Sequence, residues 1–154
     1  MKKNYSKGIS ILEIIIGIAL VAIITAVALT PLRDYRASVA VRTQAESIAS
    51  FLSEAKTKTL SSYNASRYGV HFTSTSYTLF SGSTYDSGDS QNIVSTLSDA
   101  TLSSINLTGG GSDVIFDRLL GTVSAYGTIV ITSTSDATQT KTITVTKSGA
   151  ISVN

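Results

Sequence analysis

The chain has no cysteine, a single histidine, a single proline and few charges. Without cysteine there is no disulfide, no thiolate nucleophile and no cysteine zinc site, so the fold must hold by packing alone. The one histidine, His71, stands between Val70 and Phe72 in an alternating run. It reads as a surface residue of a strand, pointing away from the core, rather than as a catalytic base, and no Gly-x-Ser-x-Gly accompanies it. Gly109-Gly110-Gly111 lacks the Lys-Ser/Thr and following helix of a phosphate loop, and reads as a turn. These absences leave no constellation for chemistry, and the chain is read as a non-enzymatic protein without a cofactor. Charged residues make up only 14% of the 154, against about a quarter in ordinary globular chains. The surface is therefore neutral and rich in Ser and Thr, which suits close packing between copies.

The charge that is present is unevenly placed. Lys2, Lys3 and Lys7 precede Gly8 with no acid among them, which by the positive-inside rule keeps the N-terminus in the cytoplasm and sends the rest outward. From residue 68 onward acids outnumber bases, with only Arg118, Lys141 and Lys147 against six aspartates. That half is a poor nucleic-acid surface.

After the basic start comes a long apolar run, residues 9–32, interrupted by one charge, Glu13. At 1.5 Å per residue it spans about 36 Å as a helix, enough to cross about 30 Å of hydrocarbon with some tilt. A carboxylate inside such a span costs a few kcal/mol unless it faces a partner. Between Glu13 and Arg33 no cation exists, and the three leader lysines lie on the far side of Gly8. If the chain is cut after Gly8, Ile9 becomes a terminal ammonium at the depth of Glu13, available to the Glu13 of a neighbouring copy. The acid then sets the register between stacked helices.

The segment Gly8-Ile9-Ser10-Ile11-Leu12-Glu13 resembles the leader junction of type IV pilins and type II secretion pseudopilins: a short basic leader ending in glycine, then an apolar residue, Ser or Thr, two aliphatics and glutamate. Ile9 stands where phenylalanine is commoner. The resemblance implies cleavage between Gly8 and Ile9 by a prepilin peptidase, N-methylation of Ile9, retention of the apolar helix in the inner membrane, and polymerisation with other subunits at an assembly platform. Two other readings stay open. Ser10 and Glu13 have the spacing of a helix capping box, though capping does not explain the glycine. The basic start, the apolar run and Ala26-Val27-Ala28 also fit an ordinary secretory signal, though the helical pattern continues beyond it.

Pro31 near the outer end of the span, and Gly17 within it, are candidate kinks. Beyond Pro31 the pattern becomes amphipathic: Val41, Ala45, Ile48, Leu52 and Ala55 recur at spacings of three and four, and the helix is expected to run to about Ser62. After residue 67 the period drops to two. A hairpin is expected at Tyr68, Val70 and Phe72 against Tyr77 and Leu79, with further strands around Ile105, Val114, Ile129, Ile143 and Ile151. The expected class is α+β, a long N-terminal helix, first transmembrane and then amphipathic, packed on a small antiparallel β head. The divisions are a leader 1–8, a transmembrane and polymerisation helix 9–32, an amphipathic helix 33–63 and a head 64–154.

The C-terminal run with Val114-Ile115-Phe116-Asp117, Gly121 and Gly149-Ala150-Ile151 resembles minor pseudopilins of the H type and FimT-like pilins. That points to a minor subunit, with a major pilin as the alternative. FimT-like pilins can bind DNA through basic residues near the C-terminus, and here only Lys141 and Lys147 are available, so nucleic acid is not expected as a partner. Asp86 and Asp89 are weak candidates for a calcium site, since hard cations want several oxygens, but an ordinary Ser/Gly/Asp turn accounts for them too. A membrane-tethered or secreted binding domain remains the alternative from a different class.

Overall fold

The computed structural model describes residues 9–154, with the side chains of 27–33 outside that description. The leader 1–8, and with it Gly8, lies outside the described residues. Two compact units divide the chain, Met1–Tyr35 and Arg36–Asn154. One helix, α1 (Ile11–Leu60), runs through the boundary, and its assignment is unbroken at Gly17 and at Pro31.

In the second unit α1 turns one stripe inward. Ala37, Val41, Ala45, Ile48, Leu52 and Ala55 are all at most 2% exposed, the predicted stripe extended by one turn. Arg42, Glu46 and Glu54 fall on the opposite side, where Arg42–Glu46 and Lys58–Glu54 pair across one helical turn. The helix stops at Leu60, close to the expected end. Ser62 takes a left-handed conformation (φ 50°), and a short 3-10 turn, Tyr63–Ala65, follows with Asn64 and Ala65 also at positive φ. Thr59 fastens this end: its buried hydroxyl donates to the Ala55 carbonyl at 2.8 Å and accepts the Tyr68 N–H at 2.9 Å, tying the last turn of the helix to the first strand.

Eight strands follow: β1 (Tyr68–Phe72), β2 (Ser76–Ser81), β3 (Ile93–Thr96), β4 (Ala100–Leu107), β5 (Asp113–Ile115), β6 (Gly127–Ser133), β7 (Thr140–Val145) and β8 (Ile151–Val153). They form two antiparallel four-stranded sheets, ordered β3-β2-β1-β5 and β4-β6-β7-β8, where the sequence pattern led to one small sheet or a pair. The chain leaves the first sheet at β4 and returns to it at β5. Alternation places Val70, Phe72, Tyr77, Leu79 and Val114 of the first sheet in the same core as Leu102, Ile129, Ile131, Ile143 and Val145 of the second, with the α1 stripe among them. Burying each such side chain contributes about 1.5–3 kcal/mol.

Strand β3 was not legible beforehand, because Ile93 and Val94 stay exposed and give no burial pattern; pairing with β2 alone defines it. Deep in the first sheet, the phenol of Tyr77 is 1% exposed. It is satisfied by Ser47 Oγ of α1 at 2.7 Å and by Ser95 Oγ of β3 at 3.1 Å, so one buried hydroxyl joins three elements.

Candidate functional site

The described N-terminal residues form an apolar helix with no covered face. Ile9 is 73% exposed and Ile11 77%, and the isoleucines, the two leucines and the valine out to Ile24 are all more than half exposed. A helix that is apolar on every side is stable only where something covers it, in a protein core or in lipid. Among the described residues no helix is long and apolar enough to cross a membrane. The predicted span 9–32 ends on side chains that lie outside the described residues.

At the start of this helix Ser10 stands at the cap position. Its carbonyl accepts the N–H of Glu13 at 3.0 Å and of Ile14 at 3.3 Å, and its hydroxyl accepts the N–H of Leu12 at 3.4 Å. This is a simple side-chain cap and not the capping box that the spacing of Ser10 and Glu13 allowed, since the hydroxyl takes the Leu12 N–H in place of that of Glu13 and the Glu13 carboxylate does not reach back to the Ser10 N–H. The Glu13 side chain is exposed, and its carboxylate makes no hydrogen bond or ion pair among the described residues. Its charge gains only from the positive end of the helix dipole. Of the predicted junction, then, Ile9, Ser10 and Glu13 are described and Gly8 is not. The geometry presents an unpartnered acid ringed by exposed aliphatic side chains.

The other sequence candidates resolve into structure. His71 does face away from the core, on the outer surface of β1, but it is half-buried there. Its Nδ1 lies 2.5 Å from Asp113 Oδ1 on β5, and its ring stacks on Tyr85 with centroids 3.9 Å apart and planes 5° from parallel. Tyr85 also meets Phe80 edge-on, so the β2–β3 loop is clasped over the outer face of the first sheet. Sequence reading missed both partners, which lie 14 and 42 positions from His71: Asp113 becomes its neighbour through the pairing of β1 with β5, and Tyr85 through the return of the β2–β3 loop. Asp86 and Asp89 each use Oδ1 to accept a backbone N–H two residues on, Gly88 and Gln91 respectively. These are Asx turns, the ordinary reading of the loop. Among the described residues no group of three or more His, Cys, Asp or Glu side chains is placed to hold a metal ion.

At the far end of α1, Leu119 and Leu120 project from the β5–β6 loop, 77% and 74% exposed. Neither joined any sequence pattern.

A long helix laid by its C-terminal half across a two-sheet antiparallel head is a specific arrangement. A crystal structure of the type IV minor pilin FimU from Pseudomonas aeruginosa matches it with a TM-score of 0.54 at 12% sequence identity, over 73% of this chain and 91% of that one. The chain has a pilin fold. Neither a protein-family profile nor a curated protein sequence matches it. In this pilin-like fold Glu13 stands at the N-terminal start of α1, in the first unit, and the head, with the C-terminal half of α1, is the second.

Proposed function

We propose that the protein is a structural subunit, of the minor class, of a type IV pilus or a type II secretion pseudopilus. It is cut after Gly8 by a prepilin peptidase, methylated at Ile9, held in the inner membrane by residues 9–32 and then passed by an assembly platform into a filament. The observation that carries the reading is the unpartnered Glu13 on an apolar helix exposed on all sides, in a chain with a pilin fold. Both features are costly in a monomer and are relieved together when helices stack, because the aliphatic surface is covered and each acid receives the α-amine of a neighbour.

Intact mass of the mature protein tests processing. Loss of Met1 to Gly8 with gain of one methyl group supports the reading. Loss through Ala28 replaces it with a secretory signal, and retention of the leader lysines removes it. Glu13→Gln tests the pairing: processing and membrane insertion stay intact while incorporation into filaments falls, and normal incorporation of that variant contradicts the role given to Glu13.

A further inference from the structure

The first sheet has a second buried surface, on the side away from the main core. Alternation in β2 turns Tyr77 and Leu79 inward and Thr78 and Phe80 outward, yet Thr78 and Phe80 are each only 2% exposed. In β1 the outward residues are Gly69 and His71, and the Phe80 ring lies across Gly69, where an added Cβ would come within 2.9 Å of it. The β2–β3 loop, residues 82–92, lays Tyr85 over this face. Tyr85 is half-buried between exposed neighbours, and its ring meets Phe80 edge-on at 5.4 Å and stacks on His71 at 3.9 Å.

The loop is held lightly. Among the described residues, the hydrogen bonds of residues 83–92 all stay within the loop: the Asx turns at Asp86 and Asp89, the backbone bonds of Asp89 and Asn92, and the bond from Asn92 Nδ2 to the Asp86 carbonyl at 2.7 Å. The other amide atom, Asn92 Oδ1, is buried and meets no donor there. An unmatched buried acceptor disfavours the closed loop, and opening to water removes that cost. Tyr85 is left as the fastening to the sheet, and His71 is the polar half of its seat.

His71 is also the one source of positive charge on this face. Residues 68–115, which contain the whole first sheet and the loop, hold Asp86, Asp89, Asp99 and Asp113 and no Lys or Arg. Arg67, just before β1, is paired with Asp117. The pairing of β1 with β5 sets His71 opposite Asp113, while β2 offers it the uncharged Thr78. Because a carboxylate only accepts, His71 Nδ1 donates to Asp113 Oδ1 whether the ring is charged or not. A further proton, on Nε2, makes that bond charge-assisted and sets a cation against the Tyr85 face.

We propose that residues 82–92 form a pH-sensitive strap: with His71 protonated the strap lies closed on the first sheet, and as His71 loses that proton it opens and uncovers Phe80. The sign follows from which state gains the partner. The charged ring is favoured by Asp113 and Tyr85 only when the strap is closed, so closure is strongest on the acid side of the range in which imidazole titrates and weakens as pH rises through it. Carboxylates and phenols ordinarily keep one charge state between about pH 5.5 and 8, so that window isolates the imidazole. The strap belongs to the head alone and does not depend on the filament reading.

NMR of the full-length chain in detergent micelles tests it. The ratio of closed to open strap, from relaxation dispersion of the 83–92 amides, should fall roughly tenfold between about pH 5.5 and 8. Its midpoint should coincide with the titration of the His71 ring in the same spectra, while the amides of β1 and β2 stay unchanged. His71→Phe keeps a ring for Tyr85 to stack on and should abolish the pH response. Asp113→Asn should bring the strap at the acid end most of the way to the mobility that the unsubstituted chain shows at the alkaline end. A strap equally closed at both ends of the range in the unsubstituted chain overturns the proposal, and that measurement needs no variant to fold. A response that survives in His71→Phe overturns it too, and one that survives in Asp113→Asn removes the ion pair as the fastening.

Discussion

Tyr77 shows how much a single polar atom can organise. Its ring fills the core and meets Phe51 edge-on at 4.9 Å, while its hydroxyl bonds Ser47 and Ser95. Tyr77→Phe keeps the packing and removes those bonds, so it should lower the unfolding free energy by about 1 kcal/mol in a denaturant melt. Asp136 is a smaller case with a clear sign. The Thr138 hydroxyl, and then its N–H, hold the Asp136 carboxyl below its ordinary value. Because the folded-state value is depressed, this contribution is present above the ordinary carboxylate range and is lost as pH falls through the folded value. Thr138→Ala should return the carboxyl toward its ordinary value in an NMR titration, and since the group is exposed the change belongs to the turn rather than to global stability.

Among the elements, α1 divides its labour along its length. Its C-terminal half is stabilised by a stripe at zero to two per cent exposure, and Leu52→Ala should cost about 2–5 kcal/mol through lost burial and a cavity. Leu60, at 41% exposure at the end of the same helix, should change the melt far less when cut to alanine. The helix stripe was legible because a period of 3.6 is written in the residues themselves, and β1, β2, β6 and β7 were legible through a period of two. Strand β3 was not, and neither was the return of β5 to the first sheet, because both depend on which distant strand offers hydrogen bonds.

For the molecule as a whole, the fold and the proposed assembly surface are energetically separable. The head closes its own core, while Ile9, Ile11 and their neighbours remain uncovered. Glu13→Gln should therefore leave the thermal unfolding of the protein unchanged in detergent while reducing incorporation into filaments. A shift in melting temperature on that substitution would mean that Glu13 serves the fold of the single chain.

The residues alone carried the apolar helix and the isolated acid at its start, because each is a local pattern of solubility and charge along the chain. They also carried the α+β class, since helix and strand periods are local too. Folding decided the partners: Asp113 and Tyr85 around His71, and Ser47 and Ser95 around the Tyr77 hydroxyl. Those depend on pairings across tens of residues, and no local period encodes which surfaces meet once the chain has folded.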